Sequence, residues 1–87
     1  MKIEGKEIRK SSRSDKKYMV KVDGLWVHFG GIKPDGTPYG QFKDRTPLKL
    51  FKAFDSLDRK KRAAYHKRHN YTAKKNSPGY FSKKYLW

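Results

Sequence analysis

The dipeptide Asp23-Gly24 constrains the fold of this chain more than any other feature. It separates two β-rich runs, Lys17-Tyr18-Met19-Val20-Lys21-Val22 and Leu25-Trp26-Val27-His28-Phe29-Gly30. A two-residue type I′ connection needs positive φ at both central residues, which Asp-Gly tolerates. The spacing predicts an antiparallel hairpin. Side chains alternate along a strand, so Tyr18, Val20 and Val22 share one face. On the return strand Trp26 and His28 share one face, and Leu25, Val27 and Phe29 share the other. The second set is expected to face the core.

Elements on either side of the hairpin follow from punctuation. Residues 1–16 read as a flexible or strand-forming N-terminal arm, with Ile3 and Ile8 flanking Gly5 and a loop at Ser11-Ser12-Arg13-Ser14. Residues 17–87 read as a single small basic domain. Between residues 30 and 47, Gly30-Gly31, Pro34-Asp35-Gly36, Pro38, Gly40 and Pro47 forbid a long regular element. Tyr39-Gly40-Gln41-Phe42 fits a short third strand. Thr46 suits a helix N-cap and Pro47 the first helical position, which predicts a helix over residues 47–69. A break at Asp55-Ser56 would make Asp55 the cap of a second segment, with Asp58 in its first turn. Ser77-Pro78-Gly79 opens a short terminal helix. There Phe81 and Tyr85, four residues apart, dock on the body and Trp87 joins them. The fold class is therefore α+β. It is a hairpin or three-stranded antiparallel sheet packed on one main basic helix, with a short aromatic C-terminal helix.

Composition limits the size of the core and the choice of partner. Apolar residues are 34% of the 87, against roughly 45–50% in typical domains. Aromatics, at 15%, must supply burial that aliphatics do not. Net charge is +15, which attracts polyanions. It is unevenly spread: Met1 to Asp44 carries 10 basic and 6 acidic residues, Arg45 to Trp87 carries 13 and 2. Cys is absent, which removes disulfides and thiolate metal sites. No apolar run approaches a membrane span and residues 1–10 lack a secretory signal's apolar stretch. The expected setting is a cytosol, a nucleus or a virus particle.

The run Arg59-Lys60-Lys61-Arg62, followed by His66-Lys67-Arg68, places cations around most of a helix. Arg59, Arg62 and His66 line one side of it. A phosphate backbone rewards such density through counterion release. The candidate nucleic-acid-binding residues are Arg59, Lys60, Lys61, Arg62, His66, Lys67 and Arg68, aided by Lys74, Lys75, Lys83 and Lys84. His66 and His69 share a helical face, but without a third ligand they make no zinc site. His28 lacks the partner groups of a general base and reads as a structural hydrogen-bonder. Exposed aromatic rings beside Lys and Arg stack single-stranded bases, yet a chain this poor in aliphatics needs most of its rings in the core. No cofactor is implied.

Three stretches together carry a resemblance. They are Lys21-Val22-Asp23-Gly24 running into Val27-His28-Phe29-Gly30; Asp58-Arg59-Lys60-Lys61-Arg62 with Tyr65 and Arg68-His69; and Gly79-Tyr80-Phe81-Ser82 ending at Leu86-Trp87. The chain resembles an uncharacterised family of small basic proteins encoded by large double-stranded DNA viruses of algae and protists. It departs from that pattern at Leu25, where the family tends to have Lys, and by the insertion Pro47 to Phe54. The resemblance implies a viral setting, either in the virion or around viral DNA, and supplies no catalytic residue. The expectation is a non-enzymatic, sequence-independent binder of nucleic acid, DNA before RNA, acting in packaging or condensation. The alternatives are a minor capsid or cement protein that contacts capsid proteins, and a small nuclease or nuclease accessory using His28 or His66 with His69.

Overall fold

A computed structural model describes residues 2–68 and 74–87. Four strands form one antiparallel meander in chain order: β1 (Lys2–Ile3), β2 (Lys6–Lys10), β3 (Lys16–Val22) and β4 (Leu25–Gly31). The expected hairpin is β3–β4, with Tyr18 opposite Phe29, Val20 opposite Val27 and Val22 opposite Leu25. Asp23 and Gly24 both take positive φ, 49° and 82°, as a type I′ turn requires. Glu4 and Gly5 repeat the device at 49° and 75° and fold β1 back on β2. The N-terminal arm is thus strand-forming, and Ile3 and Ile8 enter the core.

That core holds Ile3, Ile8, Tyr18, Val20, Phe29, Phe51, Phe81 and Leu86. Phe29 is fully buried and Val27 packs against it from the same face. Leu25 departs from expectation: it is 74% exposed, next to the Asp23-Gly24 turn and opposite Val22, which does pack on the core. Trp26 lies on the other face, between Arg9 and Lys21, whose charged groups sit 5.5 and 5.8 Å from its ring centre.

Two expected elements are replaced. Tyr39 to Phe42 is not a strand of the sheet. Gln41 N–H donates to the Phe54 carbonyl, Ser56 N–H to the Gln41 carbonyl, and Phe42 N–H to the Leu86 carbonyl. Tyr39 N–H reaches the Gly31 carbonyl at the end of β4, but the rest of the segment is tied to residues 54–57 and to Leu86. Nor does a helix run from residue 47. Thr46 Oγ1 does accept the Lys49 N–H at 3.2 Å, as an N-cap would. Lys49 then turns to φ 49°, and the next amides go elsewhere: Leu50 N–H to the Tyr18 hydroxyl and Phe51 N–H to Asp44. A single 3₁₀ turn follows at Lys52–Phe54. The break falls at Leu57, φ 52°, just past the expected Asp55-Ser56. The helix beyond it, α1 (Arg59–Arg68), is capped by Asp58 rather than Asp55: Asp58 Oδ1 accepts the N–H groups of Lys60 and Lys61.

The last helix, α2 (Pro78–Tyr85), begins as the sequence predicts, with Ser77 Oγ accepting the Tyr80 N–H. It is α2, not the basic helix, that packs on β4. Phe81 sits 5.6 Å from Phe29, ring centre to ring centre, and Tyr85 lies beside Phe81. The expected packing of the sheet on α1 fails for a simple reason: α1 has no apolar stripe and buries none of its residues. Glu4, at the β1–β2 turn, ties this end together by an ion pair to Lys84 and a hydrogen bond from Tyr80.

Candidate nucleic-acid interface

α1 is held to the body at its edge. Arg62 Nε donates to the Trp87 carbonyl at 2.8 Å, and His66 Nε2 lies 2.9 Å from the same oxygen. Tyr65 stacks on the Trp87 indole, 4.5 Å between centres and 5° from parallel. The Arg62 guanidinium sits 4.8 Å above the Phe42 ring. Helical spacing groups Leu57 and Ala64 with Tyr65, but both are exposed. The inward face is polar and aromatic.

The sequence-predicted cations divide by these contacts. Arg59, Arg62 and His66 share one side as expected, and with Phe42 and Ala63 they line a shallow open groove. Lys60, Lys61, Lys67 and Arg68 project from α1 into solvent, as do Lys74 and Lys75 from the segment before α2. Lys83 is half-buried. Lys84 is bound to Glu4, whose carboxylate raises the Lys84 pKa and is itself lowered by Lys84. His69 lies outside the described residues. His28 accepts or donates a 2.7 Å hydrogen bond to Ser11 Oγ on the outer face of the sheet. Among the described residues no three His, Cys, Asp or Glu gather as metal ligands would.

The destination of the acids explains why the α1 charge stays unneutralised. Glu7 pairs with Arg9, Asp15 with Arg13 and Glu4 with Lys84. Asp35 accepts the Thr37 N–H within its own turn, Asp23 occupies the β3–β4 turn and Asp58 caps α1. Asp44 and Asp55 are taken by a polar network that the sequence did not reveal. Asp44, buried, accepts from the Tyr18 hydroxyl, from Thr46 N–H and Oγ1, and from Phe51 N–H. Asp55 Oδ1 accepts from Asp44 N–H and from Gln41 Nε2. Lys17, 1% exposed, donates to the Tyr39 carbonyl at 2.6 Å and to Gln41 Oε1 at 2.8 Å. Alternation alone would have placed Lys17 in solvent.

Burial lowers the Lys17 pKa from 10.5 to about 8, against the opposing pull of Asp44 and Asp55. A neutral amine has two N–H donors, and two acceptors wait for them. Between these pH values the unfolded chain keeps a proton that the folded chain has released, so stability rises with pH. Burial also pushes the Tyr18 and Tyr85 phenols up to about 12, which reverses the trend above roughly pH 10. Urea unfolding is therefore expected to show a gain of roughly 2 kcal/mol between pH 7 and pH 10. Lys17→Met should flatten that rise; an unchanged rise would refute the assignment.

A cavity of about 260 Å³ lies where distant stretches meet. Its lining includes Gly30 from the hairpin, Tyr65 and Arg68 from α1, and Ser82, Leu86 and Trp87 from the end of the chain. The Gly30-Gly31 pair has a packing reason here. A Cβ on Gly30 would stand 2.9 Å from Lys17 Cβ, and one on Gly31 2.8 Å from the Tyr39 ring. Ser82 Oγ accepts the Gly30 N–H. No family model, curated protein or solved structure matches this chain. No helix among the described residues is long and apolar enough to cross a membrane.

Proposed function

We propose that the chain binds nucleic acid without catalysis, through phosphate contacts along α1. One observation carries this reading. Among the described residues, no side-chain carboxylate forms an ion pair with a cation of α1: Asp58 is spent on the helix cap and the other acids are bound or placed elsewhere. The placement is also costly. Arg59, Lys60, Lys61 and Arg62 crowd the first turns, where the helix dipole disfavours positive charge and Arg59 faces Arg62 at i, i+3. A cluster that destabilises its own helix is explained by a polyanion that neutralises it. Phosphate contacts orient a protein without reading sequence, so binding is expected to be nearly indifferent to sequence. The resemblance supplies the setting: packaged or condensing viral DNA.

The test is binding to mixed-sequence duplex DNA across a salt series. Log K should fall linearly with log salt, at about −0.9 per neutralised phosphate. Weak binding with a flat slope would overturn this reading and make the basic surface one that faces protein, as in a capsid.

A further inference from the structure

We infer that the cavity beside α1 receives one unpaired nucleobase of the bound strand, with Arg68 at its rim taking an adjacent phosphate. This rests on the reading of α1 as a phosphate-binding helix and names the form of nucleic acid it prefers.

The volume, about 260 Å³, suits one base with part of its sugar and excludes a stacked base pair. Three rings line it: Tyr65 and Trp87, already stacked in parallel, and Tyr39. Every base has a π-face, so such a lining accepts bases with little regard to sequence. Main chain is at hand for a base edge. Gly40 also lines the cavity, and among the described residues its N–H and carbonyl have no hydrogen-bond partner. Arg68 is exposed and free of any acid among the described residues. α1 borders both features, with Arg59, Arg62 and His66 on the groove and Tyr65 and Arg68 on the cavity. A backbone tracking the helix therefore passes the cavity mouth. Taking a base out of a stack is cheapest where the strand is already single, so a single strand is the preferred ligand.

The test uses the full chain carrying Trp26→Phe, which leaves Trp87 as the single tryptophan. Its fluorescence is followed while four short ligands are added: mixed-sequence single-stranded DNA, RNA of the same sequence, an abasic sugar-phosphate strand and duplex DNA. A base-bearing single strand should quench Trp87 and bind about tenfold more tightly than the abasic strand; the DNA and RNA arms show which sugar is accepted. Gly40→Leu adds a bulky side chain to the cavity lining. Nothing lies within 4 Å of a Cβ at Gly40, and its φ is not left-handed, so the fold tolerates the change. It should erase the quenching and the tenfold preference while leaving duplex binding and its salt slope intact. Equal quenching and affinity with the abasic strand, or a preference that survives Gly40→Leu, would overturn the base site and leave the α1 reading standing. If no strand shows salt-dependent binding, the α1 reading fails separately. Adenosine monophosphate then decides the cavity: quenching that Gly40→Leu removes keeps it as a base site, and no quenching overturns it.

Discussion

Asp44→Ala is expected to unfold the protein near physiological temperature. The carboxylate is 1% exposed and serves four donors: the Tyr18 hydroxyl, the Thr46 N–H and hydroxyl, and the Phe51 N–H. Each buried donor left without a partner costs about 1–3 kcal/mol. Removing one member of a buried charged network costs about 3–5 kcal/mol. Small domains hold only about 5–15 kcal/mol in all. The positive charge of Lys17 would also lose a nearby anion. At about 4–8 °C per kcal/mol for a chain of this size, a thermal midpoint lower by about 20 °C or more is expected by circular dichroism. A shift of only a few degrees would mean that water replaces the carboxylate and that the network does not organise residues 41–55.

Charge removal on the exposed side of α1 should produce the opposite pair of effects. Arg59, Lys60, Lys61 and Lys67 changed together to Ala leave Arg62 and His66 on the Trp87 carbonyl and leave Arg68 at the cavity. The new helix should be no less stable, since Ala is the best helix former and the first-turn repulsion is gone. Duplex affinity at low salt should fall about a hundredfold or more, and the slope of log K against log salt should become shallower by up to about 3.6. An unaltered slope with unaltered affinity would exclude this face as the phosphate-binding surface. Because stability and affinity move apart, the result separates a binding surface from a structural one.

What could be read from the sequence was local. Asp23-Gly24 and Ser77-Pro78 act through their own backbone, so the β3–β4 hairpin and the start of α2 were legible. The side shared by Arg59, Arg62 and His66 follows from helical spacing and reappears as a groove. What could not be read depended on partners far along the chain. The Thr46-Pro47 signal was real, yet Tyr18 and Asp44 took the amides that a helix would have used. Lys17 looked like a solvent-facing strand residue until the Tyr39 carbonyl and Gln41 closed over it. The cavity needed Gly30, Tyr65 and Trp87 together, and no spacing rule links positions so distant.

The attachment of α1 through Trp87 sets a hierarchy of opening. The helix has ten residues and buries none of them. An isolated helix that short does not persist in water, so its order is borrowed from the contacts of Arg62, Tyr65 and His66 with Trp87 and of Arg62 with Phe42. Amides of α1 should exchange with deuterium by a local excursion that leaves the meander closed, whereas those of β3 and β4 should exchange only when the whole molecule unfolds. A polyanion lying along α1 would slow the first class and hardly touch the second. The nucleic acid would then complete the helix as well as being bound by it.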